Sequence, residues 1–221
     1  MELIDRDSLL IHASPLFAHA LRAYTRENPG VTIRGAFYSW SDFVPARESC
    51  PQWVILDAYL DDYVPLLVKV RALSRLGATP VVLGALHPRQ QEVLKAAGAA
   101  GVISEDLTVP ELVAEIGRVV SRWTPTSTPD GGRGAGAEHC RFTDRELQIA
   151  ELYSRRRGLH ASVLGPALGL SPETVRAHLR NARKKLEELG LPGTSRTQLG
   201  QALVDMGYSL TDEQWRQAGR W

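Results

Sequence analysis

Arg176, Arg180, Arg183 and Lys184 stand at helical spacing inside the segment PETVRAHLRNARKKL, residues 172–186. Thr174 and Asn181 add hydrogen-bonding groups to the same side. This is the chemistry of polyanion recognition: Arg forks bridge guanine edges, while Lys and Thr hold phosphates. Val175, Leu179, Ala182 and Leu186 fall on the opposite side, so a helix here buries one stripe and presents cations on the other. Such a stripe alone is more often a solvated, salt-laced face than an interface, and the elements around it must decide. Other chemistry is thin. The chain has no Gly-rich phosphate loop, Cys-x-x-Cys, His-Glu-x-x-His or nucleophile elbow, so no enzyme, cofactor or resident metal is expected. His139–Cys140 stands without partners, and the two cysteines, Cys50 and Cys140, lack metal-ligand spacing.

The segment before the basic stripe supplies its setting. Thr143 caps a helix running to about Ser154, with Glu146 completing a capping box. A short helix follows from about Ser162 to Leu168, then Gly169-Leu170-Ser171, then the long basic helix from Pro172 to about Leu189, capped by Ser171. A last helix spans about Ser195 to Met206. Helix, short turn containing Gly, longer helix is the helix-turn-helix arrangement, and the whole is a small all-α four-helix domain.

Upstream the pattern changes. Leu9–Ala13, Val31–Phe37, Trp53–Leu56, Val81–Ala85 and Gly101–Ser104 read as strands. Between them lie helix-like segments at Pro15–Glu27, Ser41–Arg47, Val64–Leu76, Arg89–Ala97 and Pro110–Arg122. Strands alternating with helices predict an α/β doubly wound, five-stranded parallel sheet covered on both faces. Ligands of such sheets sit beyond the carboxyl ends of the strands, where Trp40, Trp53 and Tyr59 either line a pocket or, more commonly for aromatics, pack. Thr124–Ala137 reads TPTSTPDGGRGAGA and predicts a flexible linker. The expected organisation is therefore 1–122, an α/β domain; 123–140, a linker; 141–206, the helical domain; and 207–221, a C-terminal extension carrying Trp215 and Trp221.

The net charge of +1 conceals this division. Residues 1–122 carry 12 basic and 14 acidic side chains, and residues 123–140 carry one and two. Residues 141–205 carry 11 and 7, a net +4, and the tail from 206 carries two of each. The cations gather on the helical domain, where a polyanion would dock. An acidic start without an apolar run, no membrane-length hydrophobic stretch and unpaired cysteines predict a cytoplasmic protein that meets no membrane.

Residues 142–186 resemble the LuxR-type helix-turn-helix, T-x-R-E followed by L-G-L-S-x-x-T-V-[KR]-x-H. Thr143, Arg145, Glu146, Leu168, Gly169, Leu170, Ser171, Thr174, Val175, Arg176, His178 and Leu186 match it. The resemblance implies double-stranded DNA as partner, with Arg176, Ala177 and Arg180 facing bases and Thr174 and Lys184 holding phosphates; Asn181 joins that surface. It also implies a homodimer paired through the last helix, at Ser195, Leu199 and Leu203. Gly165 and Pro166 depart from the pattern in the short helix, where Pro removes a backbone donor, and the connection Glu187–Thr194 is longer than usual. The Arg155–Arg157 run adds positive charge.

Residues 1–122 resemble the receiver domain of two-component response regulators, a flavodoxin/CheY-like fold, through Ser14-Pro15-Leu16-Phe17, Pro51–Asp57 and Ala97-Gly98-Ala99. Together the halves resemble the NarL/FixJ architecture. In that comparison Asp57 matches the phosphoacceptor, but the remaining functional positions are changed. His12 and Ala13 stand for the acidic pair, Gly84 for the switch hydroxyl and Glu105 for the lysine. Aspartyl transfer needs a divalent cation on hard oxygen ligands and a fixed positive charge. The expectation is a degenerate receiver controlled without phosphate, by dimerisation or by a small-molecule ligand in that pocket, with Asp57 hydrogen-bonded to His12. The rival expectations are a partner-sequestering interaction module and a conventional phosphorylation-activated regulator.

Overall fold

The computed structural model describes residues 7–28, 30–123, 142–155 and 159–219. The predicted linker from Thr124 onward, His139, Cys140, Arg156–Arg157 and Trp221 lie outside them.

Five strands, β1 (Asp7–Ile11), β2 (Thr32–Phe37), β3 (Trp53–Asp57), β4 (Thr79–Leu83) and β5 (Gly101–Ile103), form one sheet in the order β2-β1-β3-β4-β5. Every pairing is parallel. Helices α1 (Pro15–Glu27) and α5 (Val109–Arg122) cover one face, where Trp53, Ile55 and Val81 meet Leu21, Leu112 and Ile116. The one-turn α2 (Trp40–Phe43), α3 (Leu66–Arg75) and α4 (Pro88–Ala96) cover the other, over Val54, Leu56 and Val82. Alternate residues of β3 thus enter opposite cores, which is why the central strands read as unbroken apolar runs.

Two strands begin earlier than their apolar runs. β1 starts at Asp7, paired with Thr32, and β4 at Thr79, paired with Trp53. Ladder hydrogen bonds use the backbone and do not require an apolar side chain. The segment expected as a helix near Ser41–Arg47 is α2 followed by a 3-10 turn, Val44–Ser49. Trp40 and Trp53 are core residues, the first tilted against Phe43 with ring centroids 5.2 Å apart and the second edge-on to Trp123 at 5.4 Å.

The helical half comprises α6 (Asp144–Ser154), α7 (Ala161–Ala167), α8 (Pro172–Glu188) and α9 (Arg196–Asp205), followed by a short α10 (Asp212–Gln217). Leu147, Leu164, Val175, Leu179, Leu186, Leu199 and Leu203 form its core, all but Leu179 with relative exposure 0%. The caps are those the sequence predicts: Thr143 with Glu146 on α6, and Ser171 with Pro172 at the first turn of α8. Gly165 has a steric reason. A Cβ there would stand 2.8 Å from the Leu170 carbonyl and 3.2 Å from the Pro172 nitrogen, so only glycine lets α7 lie against the turn into α8. Pro166 sits on the exposed side of α7, which stays helical around it.

Glu146 also ties two helices together. It accepts hydrogen bonds from Lys185 Nζ at 2.6 Å and the Thr143 amide at 2.8 Å. Burial pushes its pKa up, but these donors outweigh it and hold the carboxyl below its ordinary value. A depressed acid stabilises the fold above its unfolded pKa, about 4.3 for Glu, and that stabilisation is lost as pH falls through the folded value. Acid titration of unfolding should therefore lose stability below about pH 4.3, and Glu146→Gln should flatten that loss. A slope unchanged by the substitution would contradict this role.

Candidate nucleic-acid interface and receiver pocket

α8 presents the predicted surface. Thr174, Arg176, Arg180, Asn181 and Lys184 are exposed and Ala177 half-buried, while Val175, Leu179, Ala182 and Leu186 face the core. Thr174 to Lys184 spans about 15 Å of helix at 1.5 Å per residue, a length that fits a major groove. Arg176 is held at 2.9 Å by Glu173, an exposed i,i+3 pair of little intrinsic strength. The cations divide by role. Arg183 Nε donates to the Gly193 carbonyl at 3.2 Å and its guanidinium lies 5.7 Å from the Tyr153 ring, while Lys185 is paired with Glu146. These two hold the long connection and the cap, not the outer surface.

The expected pairing residues of α9 need correction. Leu199 and Leu203 are wholly buried in this chain's own core, and Ser195 is the N-cap, accepting from the Gln198 amide. The sequence shows that α9 is amphipathic, but not which neighbour its apolar stripe meets. A second copy can reach α9 only through the opposite face, around Thr197, Gln201 and Val204.

At the carboxyl edge of the sheet the structure brings His12, Asp57 and Glu105 together, with potential ligand atoms all within 4.8 Å of one another. Ala13 and Gly84 complete the ring of strand ends. Asp57 is fully buried and accepts from the Tyr59 amide at 2.7 Å and the Ala13 amide at 3.2 Å. His12 does not bond Asp57 as expected. Its Nδ1 accepts from the Ser14 amide at 3.0 Å, and its Nε2 lies 3.5 Å from Glu105 Oε1. The ring also stacks on Phe17 at 4.2 Å. The sequence could not rank these partners, because the choice depends on where the β1–α1 turn aims the ring.

This donor set does not fit Mg²⁺, the cation that a receiver implies. Mg²⁺ takes hard oxygen ligands in octahedral geometry, and the strand end beside Asp57 offers the imidazole of His12 and the methyl group of Ala13. Within the trio, His12 Nε2 and Glu105 Oε1 are buried 3.5 Å apart and neither has a hydrogen-bond partner among the described residues. The switch position is closed as well. A Cβ at Gly84 would stand 2.7 Å from Ala58 Cβ and 3.0 Å from the Tyr59 ring. Tyr59 fills this space, its hydroxyl donating to the Ala85 carbonyl at 3.1 Å and accepting from the Ala85 amide at 2.8 Å.

The extension packs on both halves: Gln214 and Trp215 reach Gln90, Ala85 and Tyr59, while Tyr208 and Trp215 meet Phe142 and Arg155 of the helical half. No sequence motif announces this contact; Gln90 and Gln214 are 124 residues apart. A second join brackets Asp144 between Arg71 and Arg75. A third places Arg155 between Glu151 at 2.8 Å and Asp61 at 3.5 Å. Beside it Lys69, buried against Asp62 at 2.9 Å, has its pKa pushed down by burial.

No family model matches this chain, and no curated protein matches it. Solved structures do. RcsB from Salmonella enterica serovar Typhimurium, bound to promoter rprA in the presence of the phosphomimetic BeF3-, is similar with a TM-score of 0.56 at 13% identity. That match covers 90% of this chain and 98% of that one. A second structure, of the Salmonella typhimurium RcsB response regulator, gives 0.56 at 13%, covering 91% and 98%. At such identity the likeness is one of fold: a CheY-like α/β sheet domain followed by a helical C-terminal region. Among the described residues no helix is long and apolar enough to cross a membrane.

Proposed function

We propose that this chain is a DNA-binding transcriptional regulator, an atypical response regulator that docks α8 in the major groove and acts as a homodimer without aspartyl phosphorylation. One observation carries the DNA reading. Thr174, Arg176, Arg180, Asn181 and Lys184 share an exposed face of a helix whose other face is locked into a helix-turn-helix core. RcsB, which shares the fold, is seen bound to promoter DNA. The Gly165–Pro166 departure, the feature that would favour a partner-sequestering module, is absorbed by the tight α7–α8 turn. Binding to a duplex should weaken steeply with salt, since each neutralised phosphate releases counterions. Genome-wide mapping of bound DNA tests the class directly: absence of discrete sites would refute it.

Independence from phosphate rests on charge. The receiver pocket sets Glu105 where phosphoryl transfer needs a cation, and buries Asp57 under two amides. Acetyl phosphate or beryllofluoride with Mg²⁺ should leave the mass, oligomeric state and DNA affinity of the chain unchanged. Stoichiometric phosphorylation of Asp57 would overturn this.

A further inference from the structure

The geometry points to the C-terminal segment 207–217 as a built-in ligand of the receiver, one that clasps the two halves together and limits access to the outward face of α9. The recognition is specific. Gln214 Nε2 donates to Gln90 Oε1 and to the Ala85 carbonyl, each at 2.8 Å. Gln90 Nε2 returns a bond to Gln214 Oε1 at 3.0 Å and gives another to the Ser209 carbonyl at 2.9 Å. The remaining acceptor positions take the amides of His87, at 2.8 Å, and Thr211, at 2.9 Å. Both amide side chains are 3% exposed. Each uses two donors and two acceptors, the full capacity of a primary amide, so a shift of the segment in any direction strands buried polar groups.

Two further features fit the chain to this seat. Gly207 has φ +76, and a Cβ there would stand 2.9 Å from the Arg89 carbonyl on α4. Trp215 meets the edge of Tyr59 at 6.2 Å and lies under the Arg155 guanidinium at 4.8 Å. The Ala85 carbonyl therefore accepts from Tyr59 on the pocket side and from Gln214 on the tail side. Tyr59 is itself anchored through its amide to Asp57. The degenerate pocket and the clasp share one loop, β4–α4.

The clasp also bears on pairing, and here it rests on the proposal that α9 is the pairing helix. Thr197, Gln201 and Val204 line one side of a cleft of about 750 Å³ whose other lining includes Asp212, Trp215 and Arg216, with Asp61 of the receiver. A partner helix must come within 8–10 Å of the α9 axis, and α10 stands beside that approach. Release of the segment opens both the joint and this face.

The full-length chain tests this with two variants, Gln214→Leu and a deletion of residues 210–221, measured by small-angle scattering and sedimentation equilibrium, with DNA binding measured separately. The expected result is a larger radius of gyration and at least tenfold tighter self-association in both variants. Unchanged dimensions in both overturn the clasp. Expanded dimensions with unchanged self-association overturn its control of pairing. A chain that opens and pairs yet binds no DNA refutes the DNA-binding function and leaves the clasp standing.

Discussion

Leu164→Ala lowers the stability of the helical half by about 2–5 kcal/mol, the range for a truncated core leucine. Leu164 is wholly buried, and α7, the helix that carries it, is only seven residues long. α7 has no further buried large side chain to hold it against α8, since Val163 is 53% exposed and Gly165 contributes no side chain. The cavity therefore falls where the turn into α8 is set, and the orientation of the basic helix is lost with it. Denaturant unfolding of the full chain checks the magnitude. A loss below about 1 kcal/mol would mean that α7 is held by something other than this packing. A control at Val163, mutated to Ala, should be nearly silent because its side chain faces solvent.

Arg176→Ala and Arg180→Ala should each weaken binding to a cognate site by about 1–3 kcal/mol and relax the preference at one base position. At 1.4 kcal/mol per decade this is roughly a five- to hundredfold loss for each. Lys184→Ala should weaken cognate and random DNA alike and reduce the salt slope by about one. Arg183→Ala separates surface from scaffold. Its guanidinium is engaged with Gly193 and Tyr153, so its loss should appear in thermal stability before it appears in base preference. Competition titrations with cognate and random duplexes at two salt concentrations read the binding of all four, and thermal unfolding reads the Arg183 effect. Equal losses on both duplexes for Arg176 and Arg180 would remove them from base recognition.

Much of this surface was legible beforehand because helices write their exposure into a period. The stripe Val175, Leu179, Ala182 and Leu186 dictates which side of α8 is buried, and the caps at Thr143 and Ser171 fix where the helices start. The strand-end residues were legible too, since a parallel sheet brings the ends of β1, β3, β4 and β5 to one edge. Their pairing was not. Whether His12 turns to Asp57 or Glu105 depends on the Ser14 amide that captures Nδ1, a matter of turn geometry that residue types do not encode. Leu199 and Leu203 show the same limit in a helix: periodicity marks an apolar stripe without saying whether it meets the same chain or another.

The sequence by itself determined the element types, the division of charge and the orientation of α8, because each follows from local spacing or residue chemistry. Only the tertiary structure decided what surrounds the strand ends and how the two halves join. Tyr59 occupies the space above Gly84, Glu105 faces an imidazole, and Gln214 closes on Gln90 from the far end of the chain. Contacts between residues so distant in sequence are fixed by how the halves dock, and docking is settled by buried hydrogen bonds that lack any sequence period. The cations of residues 141–205 are likewise sorted by the tertiary structure: Arg155, Arg183, Lys185 and Arg196 engage internal partners, while Arg176, Arg180 and Lys184 stay exposed on α8.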